Sequence, residues 1–115
     1  MRNERGDVVF GPDPFKLGND PRPWLILSAN SMPLPGEFIC AGLTSTEYTV
    51  NYEIRPEHWT HGGNPPDKES YCSPWVLGTV KSGQIRSLQG MLAEEFTDEI
   101  TSDSVGYLTG SGADC

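Results

Sequence analysis

Arg22 is the residue whose position most clearly calls for a chemical explanation. It lies between two prolines in the stretch PRPWLILSAN, directly before a run of large apolar residues. A buried strand needs only the apolar run Trp24–Leu27, and nothing in the packing of that run requires a cation. Pro23 disfavours helical backbone at the residue before it, so Arg22 is expected to be extended and pre-ordered.

Further polar side chains stand at the ends of predicted strands. They are Ser28, Thr44, Ser45, Lys81 and Ser82. In a curled sheet, these residues and Arg22 are expected to converge on one rim. The sequence has no phosphate-binding glycine loop, no G-x-S-x-G and no H-E-x-x-H motif. Nucleotide hydrolysis, esterase and zinc-protease activities therefore have no support.

The cysteines and histidines do not predict a metal centre. Cys40, Cys72 and Cys115 are odd in number and lack C-x-x-C spacing, so three free thiols are expected. A zinc site built from His58, His61 and Cys72 would lack a fourth ligand with convincing spacing. The sequence therefore predicts no metal and no cofactor.

Length and charge limit the class of protein. The 115 residues allow a single domain over 1–115, with its core over about 5–108 and a polar tail over 109–115. Eight basic and sixteen acidic residues give a net charge of −8, so any nucleic-acid site must be local. The excess of acid also suits a salt-rich cytoplasm.

No apolar run reaches the roughly 20 residues that span a bilayer, and the N-terminus lacks a signal peptide's hydrophobic region. A cytoplasmic protein without membrane contact is expected.

Hydrophobic patterning predicts a mainly β fold with one C-terminal helix. Short apolar runs bounded by Gly, Pro, Asn and Asp indicate five or six strands. These runs are Asp7–Phe10, Trp24–Ser28, Glu37–Leu43, Val50–Ile54, Trp75–Val80 and a short Ile85–Leu88. From Leu92 the apolar spacing becomes helical and predicts one amphipathic helix over about 92–108. The expected fold is a small, strongly curved antiparallel sheet or barrel, with an irregular segment over 55–74.

Four motifs follow one another along nearly the whole chain. They are RGDVVF, PRPWLILSAN, AGLTS and SPWVLGTVKS, followed by the amphipathic helix, and they run from Arg5 to about Leu108. In this order they resemble the PemK/MazF-like family of type II toxins (growth inhibitors), and the pieces PFK, RPW and SPWV are similar to archaeal members. The resemblance implies an SH3-like barrel, a homodimer, metal-independent cleavage of single-stranded RNA, and a cognate antitoxin that blocks the groove.

The resemblance also implies two catalytic residues. Arg22 matches the family's loop arginine, whose planar guanidinium can donate two hydrogen bonds to a scissile phosphate. The structural alternative for Arg22 is an ion pair with Asp7 or Asp20. Thr44 matches the threonine after the third strand, whose hydroxyl can donate to a phosphate oxygen or position the ribose 2′-OH. The alternative for Thr44 is a turn in which it bonds its own backbone.

Five further residues are predicted to contact the substrate. They are Lys16, Ser28, Ser45, Lys81 and Ser82. Lys81-Ser82 stands where the family usually carries Arg-Thr. Lysine supplies a point charge, whereas the planar guanidinium of arginine can donate two parallel hydrogen bonds. Trp59, Trp75 and Phe15 are candidates for base stacking, although a core or interface role is favoured for Trp75.

The sequence departs from the family where a general base is needed. Some members have an acidic residue shortly before the Arg-Thr pair, but this chain has Gly78-Thr79 there. Asp13, His58 and His61 are the candidates that remain for accepting the 2′-OH proton. Two functions therefore stay open, an endoribonuclease toxin and a non-catalytic nucleic-acid- or protein-binding regulatory module of the same ancestry.

Overall fold

The chain folds into seven strands and one long helix among the residues described. The computed structural model describes residues 3–14, 20–64 and 69–110. The strands are β1 (Asp7–Gly11), β2 (Arg22–Ile26), β3 (Glu37–Thr44), β4 (Tyr52–Ile54), β5 (Trp59–Gly62), β6 (Ser70–Lys81) and β7 (Ser87–Leu92). The helix α1 covers Glu94–Thr109, and single 3-10 turns cover Pro56–His58 and Ser82–Gln84.

All seven strands belong to one antiparallel sheet that curls into a half-barrel. Their order is β4-β6-β3-β2-β1-β7-β5. Neighbours in the chain such as β1 and β2, or β2 and β3, pair directly because short or moderate loops join them. The prediction of a mainly β, curved antiparallel fold with one C-terminal helix is confirmed.

The longest strand, β6, carries the irregularity that bends the sheet. Its pairing with β3 shifts between Ala41, which faces Leu77, and Gly42, which faces Ser73. Residues 74–76 therefore have no partner in β3. Pro74 cannot donate to a strand ladder and is tolerated in a bulge of this kind, which also increases the local twist. The bulge allows the strand to continue through Pro74. The strand β6 therefore begins at Ser70, before the expected start at Trp75.

Two apolar clusters lie on opposite faces of the sheet. The first packs between the sheet and α1, and includes Val8, Leu25, Leu43, Phe96 and Ile100. The second lies on the other face and consists of Val9, Trp24, Ile26, Cys40 and Val80. Side chains alternate between faces along a strand, so the continuous apolar runs of β1 and β2 fill both clusters.

Several boundaries differ from the predicted ones. The strand β5 lies inside the segment predicted to be irregular, because its four residues WTHG are mostly exposed and too short to show a pattern. The last strand runs over Ser87–Leu92, so Leu92 pairs with Trp59 and does not start the helix. Among the residues that the structure describes, no helix has the length and apolar character needed to cross a membrane.

Candidate functional site

A groove of about 790 Å³ opens at one end of the sheet, and we call it the Arg22 groove. It lies where β2 begins, β3 ends and β6 begins. Its lining includes Arg22, Thr44 and Ser45 from the predicted set, together with Asp13 and Glu69. Because antiparallel neighbours bring the start of one strand beside the end of the next, these separate sequence motifs meet at one edge.

The guanidinium of Arg22 is held from several sides. Its Nη2 donates to the carbonyl of Leu43 at 2.9 Å, and its Nη1 lies 3.8 Å from Oδ1 of Asp13. The head group lies 5.4 Å from the ring centroid of Trp24 and directly over Gly42, where an added Cβ would come within 3.5 Å of its Cζ. The Arg22 side chain remains 18% exposed, so part of the guanidinium faces the groove.

One carboxylate beside Arg22 was not among the structural partners considered for it. Asp13 supplies it, whereas Asp7 accepts a hydrogen bond from the backbone of Glu4 at 2.9 Å. The side chain of Asp13 is only 8% exposed. Asp13 therefore acts mainly as a buried neighbour that fixes the position of the cation.

Thr44 ends β3 inside the Arg22 groove. Its Oγ1 accepts a hydrogen bond from the amide of Thr46 at 3.1 Å, which is the turn considered as the structural alternative. A hydroxyl that accepts a bond still has its own proton to donate. The turn therefore orients the Thr44 side chain without using its donor. Ser45 follows it, exposed, on the same lining.

Lys81 and Ser82 are predicted contacts that do not join this groove. Lys81 pairs with Glu37 at the first residue of β3, whereas Thr44 is the last residue of that strand. Seven residue steps correspond to about 23 Å along a strand. Lys81 and Ser82 therefore lie at the opposite end of the sheet, because the single long β6 spans its whole length.

Ser28 is another predicted contact that does not line the groove. Ser28 is buried, and its Oγ accepts a hydrogen bond from the amide of Ile39 at 3.1 Å. The expected convergence on one rim thus fails for Ser28, which closes the β2–β3 connection. Lys16 and the stacking candidate Phe15 lie outside the described residues.

Neither histidine lines the Arg22 groove. His58 stacks on Phe96 with ring centroids 3.8 Å apart and planes 5° apart, and its Nδ1 accepts from the amide of Arg55 at 2.9 Å. His61 lies in β5 opposite Met91, near the end of the sheet where β1 starts. Of the three candidate bases, only Asp13 lines the Arg22 groove.

The described residues contain no group of three or more His, Cys, Asp or Glu side chains placed to hold a metal ion. Cys72 is fully buried in the core, and burial raises its thiol pKa. Burial likewise raises the pKa of Cys40 to about 12. Metal ligation requires a thiolate, which both environments disfavour.

Glu69 is a groove residue that the sequence reasoning missed. Its Oε2 accepts a hydrogen bond from the hydroxyl of Tyr71 at 2.7 Å. This bond is the main reason that the pKa of Tyr71 rises to about 12, with burial and nearby carboxylates adding to the effect. Residues two apart in a strand share a face, so the E-S-Y spacing at the start of β6 was a usable signal.

An aromatic row runs from the groove to the helix. Tyr48 and Trp75 line the groove with ring centroids 6.3 Å apart, and Trp75 meets Tyr107 of α1 at 5.9 Å. Trp75 is 38% exposed, because it belongs to the β6 bulge. This placement rules out a core role for Trp75 and leaves base stacking and an interface role open.

Comparison with known proteins identifies the fold. No protein-family profile and no curated protein sequence matches the chain. Among solved structures, a mycobacterial endoribonuclease in complex with its cognate antitoxin is similar, with a TM-score of 0.64 and 18% identity over 94% of this chain and 93% of that one. A further mycobacterial endoribonuclease gives 0.62 and 17% over 96% and 93%.

A third solved structure, the Mycobacterium tuberculosis toxin MazF-mt6, gives a TM-score of 0.64 and 18% identity over 90% of this chain and 94% of that one. These likenesses concern the path of the backbone and do not bear on the archaeal character expected from the motifs. The chain therefore has a MazF-like toxin fold, as the order of its motifs predicts.

Proposed function

We propose that this protein is a metal-independent endoribonuclease toxin of a toxin–antitoxin system, cleaving single-stranded RNA through attack of the ribose 2′-OH. The observation that carries the proposal is the guanidinium of Arg22, held over Gly42 and facing a groove that also contains Thr44. The fold is shared with proteins described as endoribonucleases, which supports the same class of reaction here.

Arg22 has the geometry needed to stabilise a phosphate in the transition state. Contacts with Leu43 and Asp13 fix the guanidinium before a ligand binds, so little reorganisation is needed when charge builds on the phosphate oxygens. Thr44 can donate its hydroxyl proton to a phosphate oxygen or hold the 2′-OH in line for attack. Ser45 is proposed to contact the RNA backbone in this groove, and Lys16 is proposed as a further RNA contact.

The other predicted contacts have a more distant part in the proposal. Lys81 and Ser82 lie at the far end of the sheet, so they would meet only RNA that extends beyond the groove. We also propose a cytoplasmic homodimer whose groove is covered by a cognate antitoxin. One similar solved structure is an endoribonuclease bound to its antitoxin, which supports this partner.

A non-catalytic regulatory module remains the second candidate. The observation that favours it is charge, because the described lining of the Arg22 groove contains three carboxylates and one guanidinium. The carboxylates belong to Asp13, Asp20 and Glu69. An acidic groove opposes the binding of a polyanion unless one phosphate is bound specifically.

The purified protein and a long single-stranded RNA separate these functions. We expect cleavage that continues with EDTA and yields 2′,3′-cyclic phosphate and 5′-hydroxyl ends. RNA binding without cleavage would support the regulatory module. Cleavage that stops with EDTA and returns with a divalent cation would contradict metal independence.

A further inference from the structure

We propose that Glu69 is the general base of the cleavage reaction and that Tyr71 is its positioning residue. The inference rests on the endoribonuclease function proposed above and supplies the proton acceptor that the sequence left undecided. It concerns the same groove as Arg22 and Thr44.

The backbone register brings Glu69 towards the catalytic pair. Tyr71 in β6 lies opposite Thr44 in β3, and Glu69 is two residues before Tyr71. Glu69 is exposed and lines the Arg22 groove. Glu69 is therefore accessible to a ligand in the groove.

Tyr71 fixes one oxygen of this carboxylate. The Tyr71 side chain is buried, with only 4% of its surface exposed, and its hydroxyl donates to Oε2 of Glu69 at 2.7 Å. A buried ring cannot follow a moving carboxylate, so the hydrogen bond restricts Glu69 to a narrow range of positions. The bond occupies Oε2 and leaves Oε1 as an acceptor for a ligand hydroxyl.

The other acidic residues of the groove are less suited to the task. Asp13 is buried and lies beside the guanidinium of Arg22, where it serves as a counter-ion. Asp20 is exposed and also lines the groove, but it precedes Pro21 in the loop that leads to β2. Glu69 alone combines an exposed carboxylate with a buried hydrogen-bond donor among the described acids of this lining.

The proposed step conserves atoms and charge. Glu69 takes the proton of the 2′-OH, and the 2′-oxygen forms a bond to phosphorus while the bond from phosphorus to the 5′-oxygen breaks. The departing 5′-oxygen takes a proton from water, and the resulting hydroxide removes the proton from Glu69. The products are a 2′,3′-cyclic phosphate and a 5′-hydroxyl, with no oxidant, reductant or further reactant.

Glu69→Gln and Tyr71→Phe test the two roles under single-turnover conditions with excess protein. Both changes keep the shape of the side chain. We expect Glu69→Gln to lower the cleavage rate by about 100-fold or more, within the range of general-base contributions. Tyr71→Phe should lower the rate by about 10-fold, because the carboxylate is present but no longer held. Affinity for the 2′-deoxy form of the same oligonucleotide should stay within about twofold for both.

Glu53→Gln is the matched control. Glu53 lies opposite Tyr71 in β4, carries the same charge and is not part of the groove lining. We expect its rate to equal that of the wild type. Adding formate to Glu69→Ala should restore part of the lost rate, because a small carboxylate can replace the missing base, and a purely structural role would not respond to formate.

Two results would overturn the proposal. One is a Glu69→Gln protein that cleaves within about twofold of the wild-type rate. The other is a loss of cleavage in Asp20→Asn with Glu69→Gln unaffected, which would assign the general base to Asp20. In both cases the wild type still cleaves RNA, so these results differ from failure of the proposed function, in which the wild type itself is inactive.

Discussion

At the scale of single residues, Arg22 is prepared for a ligand by its own contacts. The carbonyl of Leu43 and the carboxylate of Asp13 fix the guanidinium, which packs beside Gly42. These contacts already restrict the Arg22 side chain, so it loses less rotamer entropy when a ligand binds. The fixed geometry is therefore part of the proposed activity.

Gly42→Ala tests whether this position matters. A Cβ at residue 42 would lie 3.0 Å from Val76 Cγ1 and 3.5 Å from Arg22 Cζ. The Val76 side chain, which also lines the groove, must therefore give way, whereas the guanidinium gains an ordinary contact. We expect a stability loss of about 1 kcal/mol from overpacking and a loss of cleavage of about 10-fold or more. Gly63→Ala is the control, because nothing lies within 4 Å of a Cβ there. Equal cleavage by both variants would mean that activity does not depend on the close packing between Gly42 and Val76.

The raised pKa of Tyr71 predicts that the free energy of unfolding falls at alkaline pH. Its pKa is raised to about 12 by the hydrogen bond to Glu69, so the folded state holds the phenol proton more tightly than the unfolded chain, whose tyrosines ionise near pH 10. The stabilisation is complete below about pH 10 and is lost as pH rises towards 12.

Chemical unfolding of wild type and Tyr71→Phe at several pH values measures this effect. The difference in unfolding free energy should be constant below about pH 10 and should change in favour of the phenylalanine variant above it. Tyr52 and Cys40 also have raised pKa values, so the comparison of the two proteins isolates Tyr71. A difference that stays constant to pH 12 would contradict the assignment.

Part of this site could be predicted from the sequence. The flanking prolines predicted an extended Arg22 at the start of a strand, and Arg22 is the first residue of β2. The Asp13 contact was not predicted, because it depends on how the loop after β1 folds back. Glu69 was missed since its role arises only when β6 extends to Ser70 and places Tyr71 opposite Thr44.

At the scale of elements, β6 determines which residues meet. Its bulge at 74–76 and its length of 12 residues separate Thr44 from Lys81 and expose Trp75. Strand runs with strong apolar patterns were predictable, whereas the short, exposed β5 was not. A hydrophobic pattern in the sequence reflects which residues are buried. A strand of four mostly exposed residues therefore shows almost no such pattern.

The contact between Ser104 of α1 and Pro74 of the β6 bulge predicts that the helix stabilises the bulge. This buried residue of α1 has its Oγ 2.8 Å from the carbonyl of Pro74 and 3.1 Å from that of Ile100. Ser104→Ala leaves the Pro74 carbonyl without this donor, so we expect a loss of about 1–3 kcal/mol in unfolding free energy.

Urea denaturation of Ser104→Ala and of the control Ser102→Ala measures that cost. Ser102 is exposed on the same helix, and its replacement should change stability by less than about 0.5 kcal/mol. Equal stability of the two variants would mean that the helix does not support the bulge.

At the scale of the whole molecule, exposed apolar side chains stand out on an acidic protein. Tyr48, Trp75, Val105, Tyr107 and Leu108 are all exposed, and the three aromatic rings among them form one row. Contiguous exposed apolar surface is typical of sites that contact other macromolecules. The net charge of −8 limits such contacts to partners that match this local surface.

We expect the protein to form a twofold homodimer in solution. Sedimentation velocity at several protein concentrations gives the oligomeric state, and a dimer that persists at micromolar concentration is the expected result. A strict monomer under these conditions would contradict the dimer and weaken any groove that two copies share.

The most direct test of the central claim is single-turnover cleavage of RNA by wild type, Arg22→Ala and Arg22→Lys, with a melting curve for each. We expect Arg22→Ala to fold normally and to lose on the order of 3 kcal/mol of transition-state stabilisation, about 100-fold in rate. Arg22→Lys should also be slow, because lysine keeps the charge but lacks two-pronged geometry. An alanine variant that melts far below wild type, or a lysine variant with near-full activity, would contradict the catalytic role of the Arg22 guanidinium.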